Sequence, residues 1–235
     1  MRSRATHDGG EARGGNPPGG TRVAIRCLGE RGDGHHGQEH VHDRDADRYR
    51  RTLVAGPLDP RLAQHFTVYR QTLFWFDVDG PVTPYLPERW PVFIWELQGK
   101  KQGIYGFPAI DGPHGGMKIA TEQYEATTTA AAVERAVSDE EKRAMYEGYI
   151  APYIAGVSNR CLRAMSCLYT VTPDFGFVID THPDSKRVII VSPCSGHGFK
   201  HSPAIGEALA DLAIDGATAA DLAAFTLQRF LSRMS

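Results

Sequence analysis

The feature that most constrains this chain is an abrupt change of texture near residue 51. Residues 1–51 contain no Phe, no Trp and a single Tyr, Tyr49, and are crowded with Gly, Arg, His and Asp. Ordering a backbone costs about 1–2 kcal/mol per residue, and such a stretch has too little apolar surface to offset that. The sequence therefore predicts a disordered segment over 1–51, with at most a short strand over 22–28, and a folded remainder. Residues 32–37, Gly-Asp-Gly-His-His-Gly, match G-x-G-x-x-G in letters. That motif works only between a strand and an apolar helix. The residues that follow, Gln38-Glu39-His40-Val41-His42-Asp43, offer no apolar helical face, so the match reads as a coincidence of a Gly-rich tail. His35, His36, His40 and His42 have no cysteine partners at zinc-site spacing, which predicts a solvated, weakly metal-binding tail and no structural metal.

Composition then excludes several classes. A formal net charge of −2 argues against nucleic acid as a partner. No run of about 18 apolar residues occurs, so no membrane-spanning helix is expected. Four Cys in 235 residues, none at C-x-x-C spacing, are too few for a disulfide scaffold and make a reducing cytoplasm the default setting. No signal peptide is legible.

The folded part reads as strands with few helices. Strands are predicted over 52–55, 66–78, 92–97, 103–107, 117–120, 161–170, 176–180 and 187–191 from β-branched and aromatic runs closed by turn residues. A helix is predicted over 139–149, with Ser138 and Glu141 forming a capping box. A second spans 202–215, with Ser202 as its cap, Pro203 in its first turn and Gly216 as its stop. The pattern is α+β, an antiparallel sheet with helices.

Three places carry chemistry. Ser195-Gly196-His197-Gly198-Phe199-Lys200 joins a strand to a helix. Glycines there allow close backbone approach, and helix-start N–H groups with Lys200 and His197 make a positive pole. A plain Gly-rich turn with solvated Lys and His fits the same spacing. Cys161 and Cys167, six residues apart on one strand, are expected on one face, either as buried thiols or as reactive ones. Tyr105-Gly106-Phe107-Pro108 and Gly115-Gly116-Met117-Lys118 end in a lysine that is either exposed or aimed into a cofactor pocket.

Taken together, Arg70-Gln71-Thr72-Leu73-Phe74-Trp75-Phe76, Tyr105-Gly106-Phe107-Pro108, Gly116-Met117-Lys118, Cys167-Leu168-Tyr169-Thr170, Phe177-Val178-Ile179-Asp180 and Ser195–Lys200 make the chain resemble one family. It is the monomeric sarcosine oxidase and N-methyl-tryptophan oxidase family of FAD-dependent amine oxidases, of the D-amino-acid oxidase type. The resemblance runs from about residue 46 to residue 230. It implies an antiparallel-sheet substrate domain over 66–161. It implies the C-terminal part of a glutathione-reductase-type FAD-binding fold over 52–65 and 162–235. The activity implied is oxidation of a secondary amino acid by FAD, with oxygen as acceptor and hydrogen peroxide as product.

By the same resemblance Cys167 is the flavin-linking residue, joined as a thioether. Lys118 is the charge that promotes oxygen reduction beside the flavin. Gly196, His197, Gly198 and Phe199 approach the flavin, and Lys200 holds the substrate carboxylate. Tyr105 and Tyr169 line the substrate cavity. Lys118, His197 and Lys200 are thus the expected catalytic set. Against the family pattern, no strand–glycine turn–helix unit opens the chain. Glu122 stands near a family histidine, and Leu58 stands where Trp is frequent. The missing dinucleotide-binding unit predicts weak FAD binding by this chain, as a truncated oxidase. The alternative is a non-catalytic pseudoenzyme, or a subunit completed by another chain that supplies the N-terminal half.

Overall fold

In a computed structural model the described residues are 26–27, 60–112 and 114–231. The predicted strand over 52–55, the glycine motif at 32–37, the histidine group and Leu58 lie outside them. Of the span 22–28, Arg26–Cys27 forms a short strand, β1.

Two sheets organise the rest. The larger has five strands in the order β3-β4-β5-β2-β6, all antiparallel neighbours. These strands are β2 (Thr67–Val78), β3 (Phe93–Trp95), β4 (Ile104–Phe107), β5 (Met117–Thr121) and β6 (Val157–Val171). A short helix, α1 (Pro60–Ala63), precedes β2. The smaller sheet has the order β1-β8-β7, where β7 is Val178–His182 and β8 is Ser185–Ser192. β1 runs parallel to β8, pairing Arg26 with Ile190 and Cys27 with Val191.

Alternation along the strands decides the two faces of the large sheet. Phe74, Phe76, Ile104, Met117 and Ile119 turn to one side and are almost completely buried. They form one core with Ile150, Ile154 and Val157. Cross-strand pairs Phe74–Ile119 and Phe76–Met117 fix the register of this face. Alternate residues on the opposite face build the site.

The capping box at Ser138 is present, with Ser138 Oγ accepting from the Glu141 N–H and the Glu141 carboxylate accepting from the Ser138 N–H. The helix it starts, α2, ends at Met145 and passes into a π turn over Tyr146–Ile150, where an α-helix to 149 was expected. Met145 and Ile150, five apart, are both buried in the core, and the wider π turn brings that spacing to one side.

Three further expectations are corrected. Helix α3 (Ser202–Ile214) is not capped by Ser202. A 3₁₀ turn over Phe199–His201 runs directly into it, so Ser202 already has helical φ −54 and ψ −37 and cannot adopt the extended backbone of a cap. Residues 162–171, expected with the FAD-binding remnant, continue β6 and pair with β2 inside the substrate sheet. Cys161 and Cys167 do not share a face. A bulge opposite Trp75/Phe76 pairs Arg163 with Trp75 but Cys161 with Phe76. That extra residue reverses the alternation, sending Cys161 to the core side while Cys167 stays on the other. Short helix α4 (Gln228–Leu231) closes the described chain.

Candidate active site

Strand register assembles one wall. On the sheet face opposite the core, Phe107 of β4 pairs with Lys118 of β5, Lys118 with Trp75 of β2, and Trp75 with Arg163 of β6. One row thus crosses four strands and alternates ring, cation, ring, cation. Lys118 Nζ lies 5.5 Å from the Trp75 ring centre and 5.1 Å from that of Phe107. The Arg163 guanidinium lies 4.7 Å from Trp75. Such contacts hold a cation without neutralising it. Further along the same face Gln71 pairs with Cys167 and Tyr69 with Tyr169, and Tyr105 occupies the position two residues before Phe107.

The opposing wall is the 195–200 loop. Ser195 is buried with φ +50, held by its N–H donating to the Thr170 carbonyl at 2.8 Å and its hydroxyl donating to the Gly176 carbonyl at 3.3 Å. Gly196 follows with φ +81, and a Cβ there would fall 2.6 Å from Tyr169 Cε2. Glycine is required twice over, by backbone conformation and by the ring against it. A Cβ on Gly198 would collide with the Pro193 carbonyl. The His197 ring stacks on Phe177 at 4.7 Å and its Nε2 lies 3.0 Å from the Phe175 carbonyl oxygen, which can only accept. Phe199 is 91% exposed, and Lys200 is exposed beside it.

Between these walls lies a cleft of about 790 Å³. Tyr105, Tyr169, Gly196, His197, Phe199 and Lys200 all line it, so the structure brings together six of the nine residues singled out from sequence. Cys167, Lys118 and Gly198 do not line it. Gly198, within the loop, is buried against the Pro193 carbonyl. Lys118 is one residue row away, its ammonium over Phe107, which does line the cleft. The Cys167 thiol is half-buried and near enough to Tyr105 to influence its ionisation. The Tyr105 and Tyr169 hydroxyls are 3.2 Å apart. Burial, then the Tyr169 neighbour, then Cys167 and Glu122 push the Tyr105 phenol far above its ordinary range, so it stays protonated. Burial, then the adjacent Glu122 carboxylate, raises Tyr124 in the same direction.

Sequence reasoning gave Trp75 no role, and it passed over Arg163 and Tyr124. Trp75 and Arg163 carry a legible signal once the register is known, because each is a strand neighbour of Lys118 or of its partner. Among the described residues no group of three or more His, Cys, Asp or Glu could hold a metal ion, and no helix is long and apolar enough to cross a membrane.

The large sheet thus has one face in the core, and its other face, with the glycine loop before α3, encloses an aromatic cleft. The chain matches the FAD dependent oxidoreductase family over residues 39–212, and it belongs to that family. The match starts ahead of residue 46, where the sequence resemblance begins. It is 40% identical over 165 residues to a monomeric sarcosine oxidase of Streptomyces avermitilis, covering 70% of this chain and 42% of that protein. It is 34% identical over 188 residues to an N-methyl-L-tryptophan oxidase of Salmonella arizonae, covering 77% and 48%. The chain therefore spans less than half the length of these relatives. Among solved structures it resembles the open form of NikD, described as an unusual amino acid oxidase, with TM-score 0.50, 16% identity, and coverage of 69% and 42%. That likeness bears on the fold.

Proposed function

We propose that this chain carries the substrate side of an FAD-dependent oxidase acting on secondary amino acids, the class that includes sarcosine and N-methyl-tryptophan, with oxygen as acceptor and hydrogen peroxide as product. The observation that carries the reading is the convergence of Tyr105, Tyr169 and the 196–200 loop on one cleft, beside a sheet face bearing Cys167 and Lys118.

The residues suit an isoalloxazine. That ring is flat, apolar at one end and hydrogen-bonding at the other. The sheet face offers aromatic and aliphatic rows, a half-buried thiol at Cys167, and a Lys118 ammonium with no carboxylate partner among the described residues. Cys167 would hold the flavin, and Gly196 and Phe199 would face it. The flavin, when bound, supplies the two-electron acceptor.

The chain's own groups do the rest. Lys200 attracts the substrate carboxylate. Tyr105, kept protonated, and Tyr169 offer hydroxyls and ring faces. His197 has one nitrogen committed to the Phe175 carbonyl, so its ring is fixed and at most the other nitrogen serves the cleft. Lys118 places a positive charge where oxygen reduction builds up an anion. The test is incubation with excess FAD, acid precipitation and peptide mapping. Flavin recovered on the peptide containing Cys167, and absent from Cys167→Ser, supports the reading. Flavin released entirely into the supernatant overturns the covalent assignment. Amine-dependent peroxide release, screened across secondary amino acids, tests the reaction.

A further inference from the structure

Two opposite charges face the same cleft without meeting. Lys200 lines it from the 195–200 loop and Glu122 lines it from the end of β5, and neither has an ion-pair partner among the described residues. Glu122 is the residue after Thr121, where β5 stops, and is exposed. The other charged lining groups are differently engaged. Lys101 is paired with Glu125 at 3.0 Å, and Lys100 lies over the Tyr149 ring at 5.1 Å. Glu96 follows the edge strand β3 directly. Glu122 alone among the carboxylates acts on the half-buried phenols of Tyr105 and Tyr124, and it shares a hydrogen bond with Tyr124 that leaves its charge in place. Between the two charges the wall is aromatic.

We propose that Glu122 is a specificity-determining residue, the cation-recognising arm of the cleft, opposite the carboxylate-recognising Lys200. The cleft then selects zwitterionic amino acids over ligands that carry only one of the two charges. This rests on the oxidase reading for the role of Lys200, but the contact assigned to Glu122 is a binding contact and is measured without turnover. A carboxylate beside the substrate nitrogen has a second consequence. Removing two electrons and a hydrogen from an N-methyl or α-carbon leaves that nitrogen as an iminium cation, and a negative charge at Glu122 favours it. The bound ammonium first gives one proton to water, which frees the nitrogen lone pair; that pair would form the C=N bond while the hydrogen leaves with the electron pair of the broken C–H bond to the flavin as acceptor.

The experiment is calorimetric titration of the full chain with three probes of one size: N-methyl-L-phenylalanine, 3-phenylpropionate and N-methylphenethylamine. The zwitterion is expected to bind most tightly. Glu122→Gln should weaken the zwitterion and the amine at least tenfold and leave 3-phenylpropionate within twofold. The charge reversal Glu122→Lys should invert the preference, with 3-phenylpropionate gaining and the amine losing. Equal effects on all three probes, no effect on any, or no binding of any probe by the parent chain overturns the proposal. Failure of the oxidase reading looks different, because the charge discrimination would persist while added FAD is never reduced by amine.

Discussion

Gly196 shows how closely the site is specified at the scale of one residue. Its φ of +81 lies in the left-handed region, and the missing Cβ is where the Tyr169 ring packs. Gly196→Ala should cost roughly 2 kcal/mol, from backbone strain plus displacement of that ring. A urea melt measures the loss, and weaker binding of a carboxylate probe should accompany it, since Lys200 rides on the same loop. Lys118→Met makes a second test. Removing the charge should slow flavin reoxidation far more than flavin reduction in stopped-flow absorbance, and an equal fall in both would contradict the role given to Lys118. Residue identity was the most legible level of this chain. Tyr105, Tyr169 and the 195–200 loop could be named from sequence because aromatic, glycine and charged residues recur there in a chemically pointed order. The face of Cys161 could not. It depends on one bulged residue near Arg163, and a bulge leaves no mark in local hydrophobic alternation.

At the scale of elements, Arg70 joins strand to helix. Its guanidinium, 15% exposed, donates to the carbonyls of Glu134 and Ala136 at 2.7 and 2.8 Å and to the Glu141 carboxylate at 2.6 Å. The same carboxylate closes the capping box of α2. Burial tends to raise the Glu141 carboxyl, but the hydrogen bonds from Arg70 and Ser138 outweigh it and hold the group below its ordinary value. Arg70→Ala strands a partly buried carboxylate and two carbonyls, and should destabilise by about 2 kcal/mol in a denaturant melt. Glu141→Gln, which keeps the shape and one of the two accepted hydrogen bonds, should cost roughly 1 kcal/mol. The capping box was readable because its residues are three apart in sequence. Arg70 stands 71 residues from Glu141, so the clasp becomes visible only when the sheet is formed. Helix α3 illustrates the converse. Ser202-Pro203 has the letters of a helix start, yet the 3₁₀ turn before it makes Ser202 the first helical residue and not the cap.

For the molecule as a whole, Arg229 anchors the C-terminal segment onto the small sheet and the loop under His197. It donates to Asp174 at 2.7 Å and to the Phe177 carbonyl at 2.6 Å. The Arg229 hydrogen bond, against opposing burial and with help from Gly176 and Thr172, holds the Asp174 carboxyl at about 2, below its ordinary 3.8. A depressed value means that folding favours the ionised form. The stabilisation is complete above about pH 4 and is lost as the pH falls through about 2. The pair is partly solvent-exposed, so it is worth about 1 kcal/mol. The difference in melting temperature between the parent chain and Arg229→Ala should be constant above pH 4 and narrow as the pH falls below 2, leaving the part due to the hydrogen bond to the Phe177 carbonyl.

On the same scale, antiparallel strands with a terminal helix could be read from sequence, but not their division into two sheets. The parallel pairing of β1 with β8 could not, because it joins residues more than 160 positions apart. The central claim is that this chain supplies the side of a flavoprotein that meets the isoalloxazine, and none of the described residues is assigned to the adenosine end. Comparative titration by flavin fluorescence quenching tests it most directly. Riboflavin and FAD should bind with affinities within threefold of each other, and Lys118→Met should weaken both alike. FAD binding tenfold or more tighter than riboflavin, or neither flavin being quenched at millimolar protein, would contradict the account.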